Sequence, residues 1–266
     1  MCLIAIAWRT HPRYPLVVIA NRDELHARPA AAASFDPEAG DVYGGRDLLQ
    51  GGSWLSVSKR GRLAAVTNVR SGLALKAFPR SRGWLVRDFI RGDSAANDYA
   101  SHLEPTAAEY GAFNLLLWDG SALAFASNSP TPANSKVSPG LHAMSNGAFD
   151  APWPKSGRAT QALQDWLASA HSESDENDRA TLAPLYQALA DTTVAPDPLL
   201  PETGVGLELE RALSPLFVSG ERYGTRCSSV VLIGQDHIVF GERRFGPNAA
   251  TLGESLVTLP YAKSAH

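Results

Sequence analysis

The sequence predicts an α+β protein in which helices cover antiparallel sheets. Apolar runs with strand character dominate both ends of the chain, and segments with helical spacing lie between them. Many of the predicted strands follow one another across short turns, which is typical of antiparallel sheets, whereas parallel strands need long crossover connections. The 266-residue chain has no convincing linker. We therefore expect a single domain over residues 1–266.

The N-terminal third supplies the first strands. Residues 3–8 and 16–20 are short apolar runs, separated by a turn-like stretch with two prolines. The polar and then small residues at 21–35 predict an ordered loop. Residues 54–58 and 63–68 predict two strands across the turn Lys59-Arg60-Gly61.

The rest of the chain alternates helices and hairpins. Helical spacing and a terminating glycine at position 92 predict helices over residues 81–90, 95–103, 155–169 and 182–190. Turn residues between apolar runs predict a hairpin within 113–127, a strand within 140–146, and a late hairpin formed by 225–234 and 237–245. The acidic stretch 171–179 and the proline-rich stretch 193–204 predict exposed loops.

Charge and composition narrow the classes of partner. The formal net charge is −3, so no basic field attracts nucleic acid or an anionic membrane. The first apolar run lacks a preceding positive segment and is too short to cross a bilayer. The two cysteines, Cys2 and Cys227, do not predict a disulfide framework and suit a reducing compartment. We expect a cytoplasmic protein with a small-molecule partner, whose oligomeric state the sequence leaves open.

The position of Cys2 suggests a nucleophile. Removal of Met1 would place a thiol and a free α-amine on one residue. An α-amine has a pKa of about 7.7–8.0 and can act as general base for a thiol whose pKa is about 8.5. The alternative is a small apolar residue in a buried strand.

Charged and amide side chains follow the second predicted strand, at Asn21, Arg22, Asp23 and Glu24. Such a group after an apolar strand suggests a site at a strand end. Asp23 can hold an ammonium at the N-terminus, and Arg22 can lower the pKa of a thiol or bind a substrate carboxylate. The alternative is a solvated loop with local salt bridges.

Three asparagines and one arginine are further candidates. Asn68 ends a predicted strand, and its amide can donate to an oxyanion. Asn114 and Asn146 stand in apolar surroundings, where a buried amide needs partners. Arg226 enters a late strand, where an anion-binding arginine and a surface arginine are equally consistent. The seven histidines show no metal-ligand spacing, so we predict no metal site.

Six blocks of the sequence resemble the NRDE family, also called the Transport and Golgi organization protein 2 family. They are "MCLIAIAW", "VIANRDELHARP", "YGGRDLLQGGSWLSVSKRGRLAAVTNVR", "FNLLLWDG", "LHAMSNGAFDAPWPK" and "YGTRCSSVVLI". The resemblance extends from Met1 to about Phe245. This family is similar in turn to N-terminal nucleophile hydrolases of the penicillin V acylase and bile salt hydrolase type.

The resemblance implies a four-layer αββα sandwich of two antiparallel sheets. It also implies that Cys2 attacks an amide and that Asp23 contacts the α-amine. Asn68 and either Asn146 or Asn114 would form the oxyanion hole, and Arg226 would be the late arginine of the site. The acylases place their arginine two residues further from the aspartate than Arg22, which leaves the role of Arg22 open.

Two hypotheses follow. The first is a cysteine amidohydrolase that cuts a non-peptide C–N bond of a small acyl amide and needs no cofactor, with Asn21, Arg22, Glu24 and Asn114 as substrate-binding candidates. The second follows from the association of family members with haem trafficking and with lipid or acyl-CoA homeostasis. It is a carrier that binds haem or an acyl lipid in the same pocket, with Cys2, His26 or His142 as haem ligands. A scaffold without chemistry of its own is a third, less specific alternative.

Overall fold

Two antiparallel sheets form the centre of the molecule. The computed structural model describes residues 2–70, 72 and 77–261, with Cys2 described by its main chain. The strands are β1 (Cys2–Trp8), β2 (Leu16–Leu25), β3 (Ala30–Asp36), β4 (Ala39–Asp47), β5 (Leu55–Ser58), β6 (Arg62–Asn68), β7 (Phe113–Trp118), β8 (Leu123–Ser127), β9 (Ala133–Lys136), β10 (Gly140–Met144), β11 (Tyr223–Ile233), β12 (His237–Phe245) and β13 (Thr251–Pro260). The helices are α1 (Arg82–Arg91), α2 (Ala96–Ser101), α3 (Pro154–Leu167), α4 (Arg179–Leu189) and α5 (Leu207–Ala212).

The strand order separates the two sheets cleanly. One sheet has the order β10-β1-β2-β11-β12-β13, and the other runs from β3 to β9 in chain order. Neighbouring strands within each sheet pair antiparallel. The hairpins that the sequence predicts are therefore the units from which both sheets are assembled.

Three apolar layers hold the sandwich together. On β1, Ile4 and Ile6 face the second sheet and join the core between the two sheets. The alternate residues Leu3 and Ala5 face helices α3 and α4 on the other side, because successive side chains of a strand point to opposite faces. Helices α1 and α2 cover the outer face of the second sheet. The layer order is helix, sheet, sheet, helix, which confirms the predicted αββα class.

Strand β2 is longer than the sequence suggests, and the predicted loop over residues 21–35 is wrong. β2 continues through the stretch Asn21–Glu24 to Leu25, and β3 follows almost at once. Strand β2 lies between β1 and β11, so Asn21 and Arg22 are paired on both sides, and Asp23 and Glu24 are paired with β11. Its side chains find tertiary partners, which composition cannot reveal.

Three further strands were not predicted, namely β4, β9 and β13. β9 is exposed at the edge of its sheet, and β13 is mostly exposed at the edge of the other. β4 carries Gly44 and Gly45. Edge strands and glycine-rich strands lack the continuous apolar run on which strand prediction depends. Among the described residues, no helix is both long and apolar enough to cross a bilayer.

Candidate functional site

A cleft of about 810 Å³ opens at the end of the sandwich where β2 and β6 finish. Strand β2 contributes Arg22, Asp23 and Glu24 to its lining, Trp54 precedes β5, and Asn68 ends β6. A volume of this size suits a small molecule. The lining combines charged and amide groups with apolar walls, so the cleft can hold an amphiphilic ligand.

The start of the chain lies beside this cleft. In the antiparallel register, Cys2 on β1 is paired with Arg22 on β2. Paired Cα atoms in such a ladder are about 4.5–5.5 Å apart, so the main chain of Cys2 is next to the cleft-lining stretch. Met1 and the side chain of Cys2 lie outside the described residues. The nucleophilic role of Cys2 therefore stays a prediction.

Asp23 is a buried carboxylate with a mixed electrostatic environment. It is 2% exposed, and the Thr225 hydroxyl donates a 2.7 Å hydrogen bond to its Oδ1. Burial raises the pKa of Asp23, and this effect is opposed by the positive charges of Lys155 and Arg22 and by the Thr225 hydrogen bond. These groups favour the ionised carboxylate that the proposed contact with an α-amine requires.

Lys155 and Thr225 are site residues that the sequence did not single out. Lys155 is only 3% exposed, and its Nζ donates to the Leu213 carbonyl at 3.0 Å. Leu213 itself lines the cleft. Lys155 ends the block "LHAMSNGAFDAPWPK", but a lysine in the first turn of a helix is ordinarily exposed. Only the tertiary structure shows that it is buried.

Arg22 has an incompletely paired guanidinium. It is 7% exposed, and its guanidinium carbon lies 4.2 Å from the centroid of the Trp54 ring. Its ionic contact with Glu24 is long, 3.9 Å from Nη2 to Glu24 Oε2. Its Nη1 is buried and has no hydrogen-bond partner among the described residues. A buried donor of this kind can form a hydrogen bond with an acceptor atom of a ligand.

Glycine positions hold Trp54 in place beneath Arg22. A Cβ at Gly45 would overlap the Trp54 ring, and a Cβ at Gly52 would overlap the main chain of Gly83. Gly52 also has a φ of +86°, which favours glycine. Gly45 thus leaves room for Trp54 and Gly52 for Gly83, and both Trp54 and Gly83 line the cleft.

Asn68 and Asn146 are joined through their amides. Asn146 Nδ2 donates to the Asn68 carbonyl at 2.9 Å and to Asn68 Oδ1 at 3.2 Å. Asn68 lines the cleft, whereas Asn146 is fully buried behind it. Because its oxygen is held by Asn146, the Asn68 amide has its NH₂ group as the free end.

Asn114 supports the turn that carries Asn146. Its Nδ2 donates to the Gly147 carbonyl at 2.7 Å and, more weakly, to the Ser145 carbonyl at 3.4 Å. Thr67 donates to the same Ser145 carbonyl at 2.6 Å. Asn114 is not one of the described residues that line the cleft. The geometry gives Asn114 a role in holding the turn and does not bring it to a substrate.

Asn21 also lies away from the cleft. Its Nδ2 donates to the carbonyls of Leu189 and Leu216 at 2.8 Å, and its Oδ1 accepts from Ser228 at 2.6 Å. The amide is buried against the C-terminal end of α4 and the segment that follows α5. Asn21 was predicted to bind substrate, but these three bonds tie it to the protein itself.

Glu24 and Arg226 complete the predicted set. Glu24 lines the cleft, and its Oε1 accepts from the Leu25 amide at 2.9 Å. Arg226 Nη1 donates to the carbonyls of Leu25, His26 and Arg28 at 2.8, 3.2 and 3.0 Å. Among the described residues, the cleft lining does not include Arg226. In this arrangement Arg226 holds the turn after β2.

Neither of the two histidines predicted as haem ligands is among the described residues that line the cleft. His142 Nδ1 lies 2.7 Å from Asp150 Oδ2, and its Nε2 lies 2.8 Å from the Ser138 carbonyl, so both ring nitrogens are engaged. His26 is not part of the described lining. The described residues contain no group of three histidine, cysteine or acidic side chains that could hold a metal ion. Haem binding stays a prediction from the resemblance.

The fold is that of known amide hydrolases. A Caenorhabditis elegans N-acylethanolamine-hydrolyzing acid amidase ortholog aligns with a TM-score of 0.52 over 87% of this chain and 92% of that chain, at 9% identity. The C2A mutant of the conjugated bile acid hydrolase from Clostridium perfringens aligns with a TM-score of 0.51 over 99% of this chain and 98% of that chain, at 8% identity. At such low identity the likeness shows the fold alone, a sandwich with the layer order helix, sheet, sheet, helix.

Sequence comparison then defines the family. The family described as Transport and Golgi organisation 2 matches residues 1–247. The Bos taurus Transport and Golgi organization protein 2 homolog is 32% identical over 91% of this chain and 92% of its own length. The Homo sapiens homolog is 30% identical over the same shares. The chain belongs to the Transport and Golgi organisation 2 family.

Proposed function

We propose that this protein is an amidohydrolase that cleaves the C–N bond of a small acyl amide, with Cys2 as N-terminal nucleophile after removal of Met1. The observation that carries the proposal is the register of β1 and β2. It sets the main chain of Cys2 opposite Arg22 and next to buried Asp23, at a cleft that Asn68 also lines. The fold is shared with an acid amidase and a bile acid hydrolase, which supports the same reaction class.

The reaction needs only groups of the chain and water. The Cys2 amine takes the thiol proton, and the sulfur attacks the amide carbonyl carbon to form a C–S bond. The carbonyl oxygen becomes an oxyanion. The amine then gives the proton to the leaving nitrogen, the C–N bond breaks, and a thioester remains. Water hydrolyses the thioester, which releases a carboxylic acid and restores the thiol.

Asn68 is the oxyanion donor in this proposal. Asn68 lines the cleft, and Asn146 donates to its Oδ1, which supports the use of its NH₂ group as the donor to the oxyanion. A donor fixed before the reaction stabilises the developing charge without reorganisation. Asn146 then acts as a positioning residue, and Asp23 orients the amine of Cys2.

The first test is the mass of the intact purified protein. We expect a mass that lacks Met1, because methionine aminopeptidases remove methionine before a small residue. Retention of Met1 in most molecules would rule out the N-terminal nucleophile.

The second test is turnover of a panel of N-acyl amides of different chain length. We expect hydrolysis by the wild type, none by Cys2→Ala, and undiminished hydrolysis by Cys227→Ala, which removes the other cysteine from a buried position on β11. Binding of an acyl lipid or of haem without turnover in protein that lacks Met1 would favour the carrier hypothesis instead.

A further inference from the structure

The unpaired guanidinium edge of Arg22 identifies a ligand-binding group. Arg22 uses its planar face against Trp54, which leaves the N–H groups at its edge for acceptors in the guanidinium plane. One of these groups, Nη1, is buried without a partner among the described residues. Glu24, the nearest acid, reaches Nη2 only at 3.9 Å. Within the described part of the chain, this buried arginine therefore has a donor without an acceptor.

Three of the other arginines in the described cleft lining differ from Arg22 in that each has an acidic partner within 3 Å. Arg28 is paired with Asp47 at 2.5 Å, Arg70 with Glu210 at 2.9 Å, and Arg80 with Glu109 at 2.7 Å. Their charges are compensated within the fold. A planar oxyanion is the acceptor that a guanidinium edge binds best. Glu24 opposes such an anion, and its long contact with Arg22 is weaker than the bond that a ligand carboxylate would form.

The surroundings define the rest of the ligand. Apolar side chains line the same cleft, among them Val66, Val69, Phe78, Leu209 and Leu213. They can receive an aliphatic or aromatic acyl group. Arg22 is paired with Cys2 across the ladder, so an anion bound to Arg22 would lie within a few bonds of an amide attacked by Cys2.

We propose that the cleft recognises N-acyl amino acids, with the carboxylate bound by the Arg22 edge and the acyl group against the apolar wall. This inference rests on the proposed amidohydrolase function. It narrows the substrate from acyl amides in general to those whose amine part carries a carboxylate. The Gly45 and Trp54 wall is the support that keeps the guanidinium plane in place.

The test compares two ligands with the same acyl chain, N-decanoylglycine and N-decanoylethanolamine. The carboxylate of the first is replaced by a hydroxymethyl group in the second. Binding is measured by calorimetry on Cys2→Ala, which cannot turn them over. We expect at least about tenfold tighter binding of the glycine conjugate, as a charged hydrogen bond predicts. Equal affinities, or no binding of either ligand, would overturn the proposal.

Variants at Arg22 then test whether Arg22 causes the preference for the glycine conjugate. In the Cys2→Ala background, Arg22→Gln is expected to remove the preference for the glycine conjugate while changing ethanolamide affinity less than about threefold. Arg22→Lys is expected to keep part of it, because it keeps the charge and loses the fork. Arg87→Gln is the matched control, since Arg87 is stacked over Trp84 outside the described cleft lining. A preference that survives Arg22→Gln would overturn the assignment.

The two proposals fail separately. Carboxylate-selective binding by Cys2→Ala, together with no hydrolysis of any amide by protein that lacks Met1, would leave this inference standing and remove the hydrolase. Hydrolysis of the ethanolamide and the glycine conjugate at equal kcat/KM would support the hydrolase and overturn the preference for a carboxylate. The ligand comparison needs no change at Arg22, so it remains decisive even if Arg22→Gln does not fold.

Discussion

The two ends of the sandwich differ in how completely their buried charged side chains are paired. At the far end from the cleft, Glu176 is buried and both of its oxygens are used. Arg13 donates to Oε2 at 2.5 Å, Tyr14 donates to it at 2.9 Å, and His237 contacts Oε1. At the cleft end, Arg22 keeps a buried N–H without a partner in the described part of the chain.

This difference between Glu176 and Arg22 indicates that the first contributes to stability and the second to ligand binding. The Glu176 cluster joins the β1–β2 turn, the acidic stretch before α4 and the start of β12, which are distant in sequence. A buried charge whose partners are all protein groups stabilises one arrangement of these segments. A buried charge that lacks partners lowers the stability of the fold. Proteins retain such a group at binding sites, where a ligand supplies the missing bond.

The largest expected effect is on catalysis at the cleft. Asn68→Ala removes the free amide of the oxyanion site, and loss of one such donor lowers kcat by about 10²–10³-fold, or about 2.7–4 kcal/mol. Steady-state kinetics on an N-acyl amide measures the change. Asn134→Ala, in an exposed edge strand of the same sheet, is the matched control. A kcat for Asn68→Ala within threefold of the wild type would remove Asn68 from the oxyanion site.

The second effect is on stability at the far end. Glu176→Ala leaves the buried Tyr14 hydroxyl and the Arg13 guanidinium without their acceptor, and we expect a loss of about 2–3 kcal/mol in the free energy of unfolding. Urea unfolding measures this loss.

Glu173→Ala is the control for Glu176→Ala. Glu173 belongs to the same stretch, but its carboxylate is mostly exposed and contacts His11 at 3.3 Å, so the loss should stay below about 0.5 kcal/mol. We also expect unchanged kcat/KM for Glu176→Ala. A large fall in activity would show that the two ends are not independent.

The sequence predicted the frame of the molecule better than the contents of its cleft. The short apolar run of β1 and the hairpin turn at Asp119-Gly120 are local signals, and both elements formed where they were expected. Asp23 and Asn68 both line the cleft, Asn68 at the end of β6 and Asp23 two residues before the end of β2. Strand ends that meet at one edge bring their side chains together whatever their exact boundaries.

The partners of the site residues could not be predicted in the same way. Trp54 lies beneath Arg22 because β2 of one sheet faces the segment just before β5 of the other, and no local pattern encodes that contact. Asn21 and Asn114 look equivalent to Asn68 in sequence, yet their amides are bonded within the fold. Which face of a strand a residue occupies, and what packs against that face, are set only by tertiary structure.

A smaller effect is expected from the glycine that seats Trp54. Gly45→Ala introduces a Cβ that overlaps the indole ring, and overpacking of this kind costs about 1–3 kcal/mol. We expect the free energy of unfolding to fall by about this amount and ligand binding to weaken as the ring moves. Gly40→Ala in the same strand meets nothing within 4 Å and should change neither quantity. Unaltered binding and stability in Gly45→Ala would mean that the Trp54 ring can shift without loss of packing and does not position Arg22.

The smallest expected effect is a pH dependence of stability at the far end. Burial alone would lower the pKa of His237, but its hydrogen bonds to Asp236 and Glu176 raise it above the ordinary value. Because the folded-state pKa is raised, the protonated imidazole contributes stability that is fully present below about pH 6.5. That contribution is lost as the pH rises through the higher folded-state pKa.

For this partly exposed group we expect the contribution to be a few tenths of a kcal/mol to about 1 kcal/mol. Urea unfolding of the wild type and of His237→Gln, at about pH 6 and about pH 8, isolates it as a difference between the two proteins. The wild type should lose its advantage over His237→Gln at the higher pH, while carboxylate-selective binding in the cleft stays unchanged. If both proteins show the same pH profile, His237 does not act as a charged partner of Glu176, and Arg13 and Tyr14 are the donors that stabilise this end.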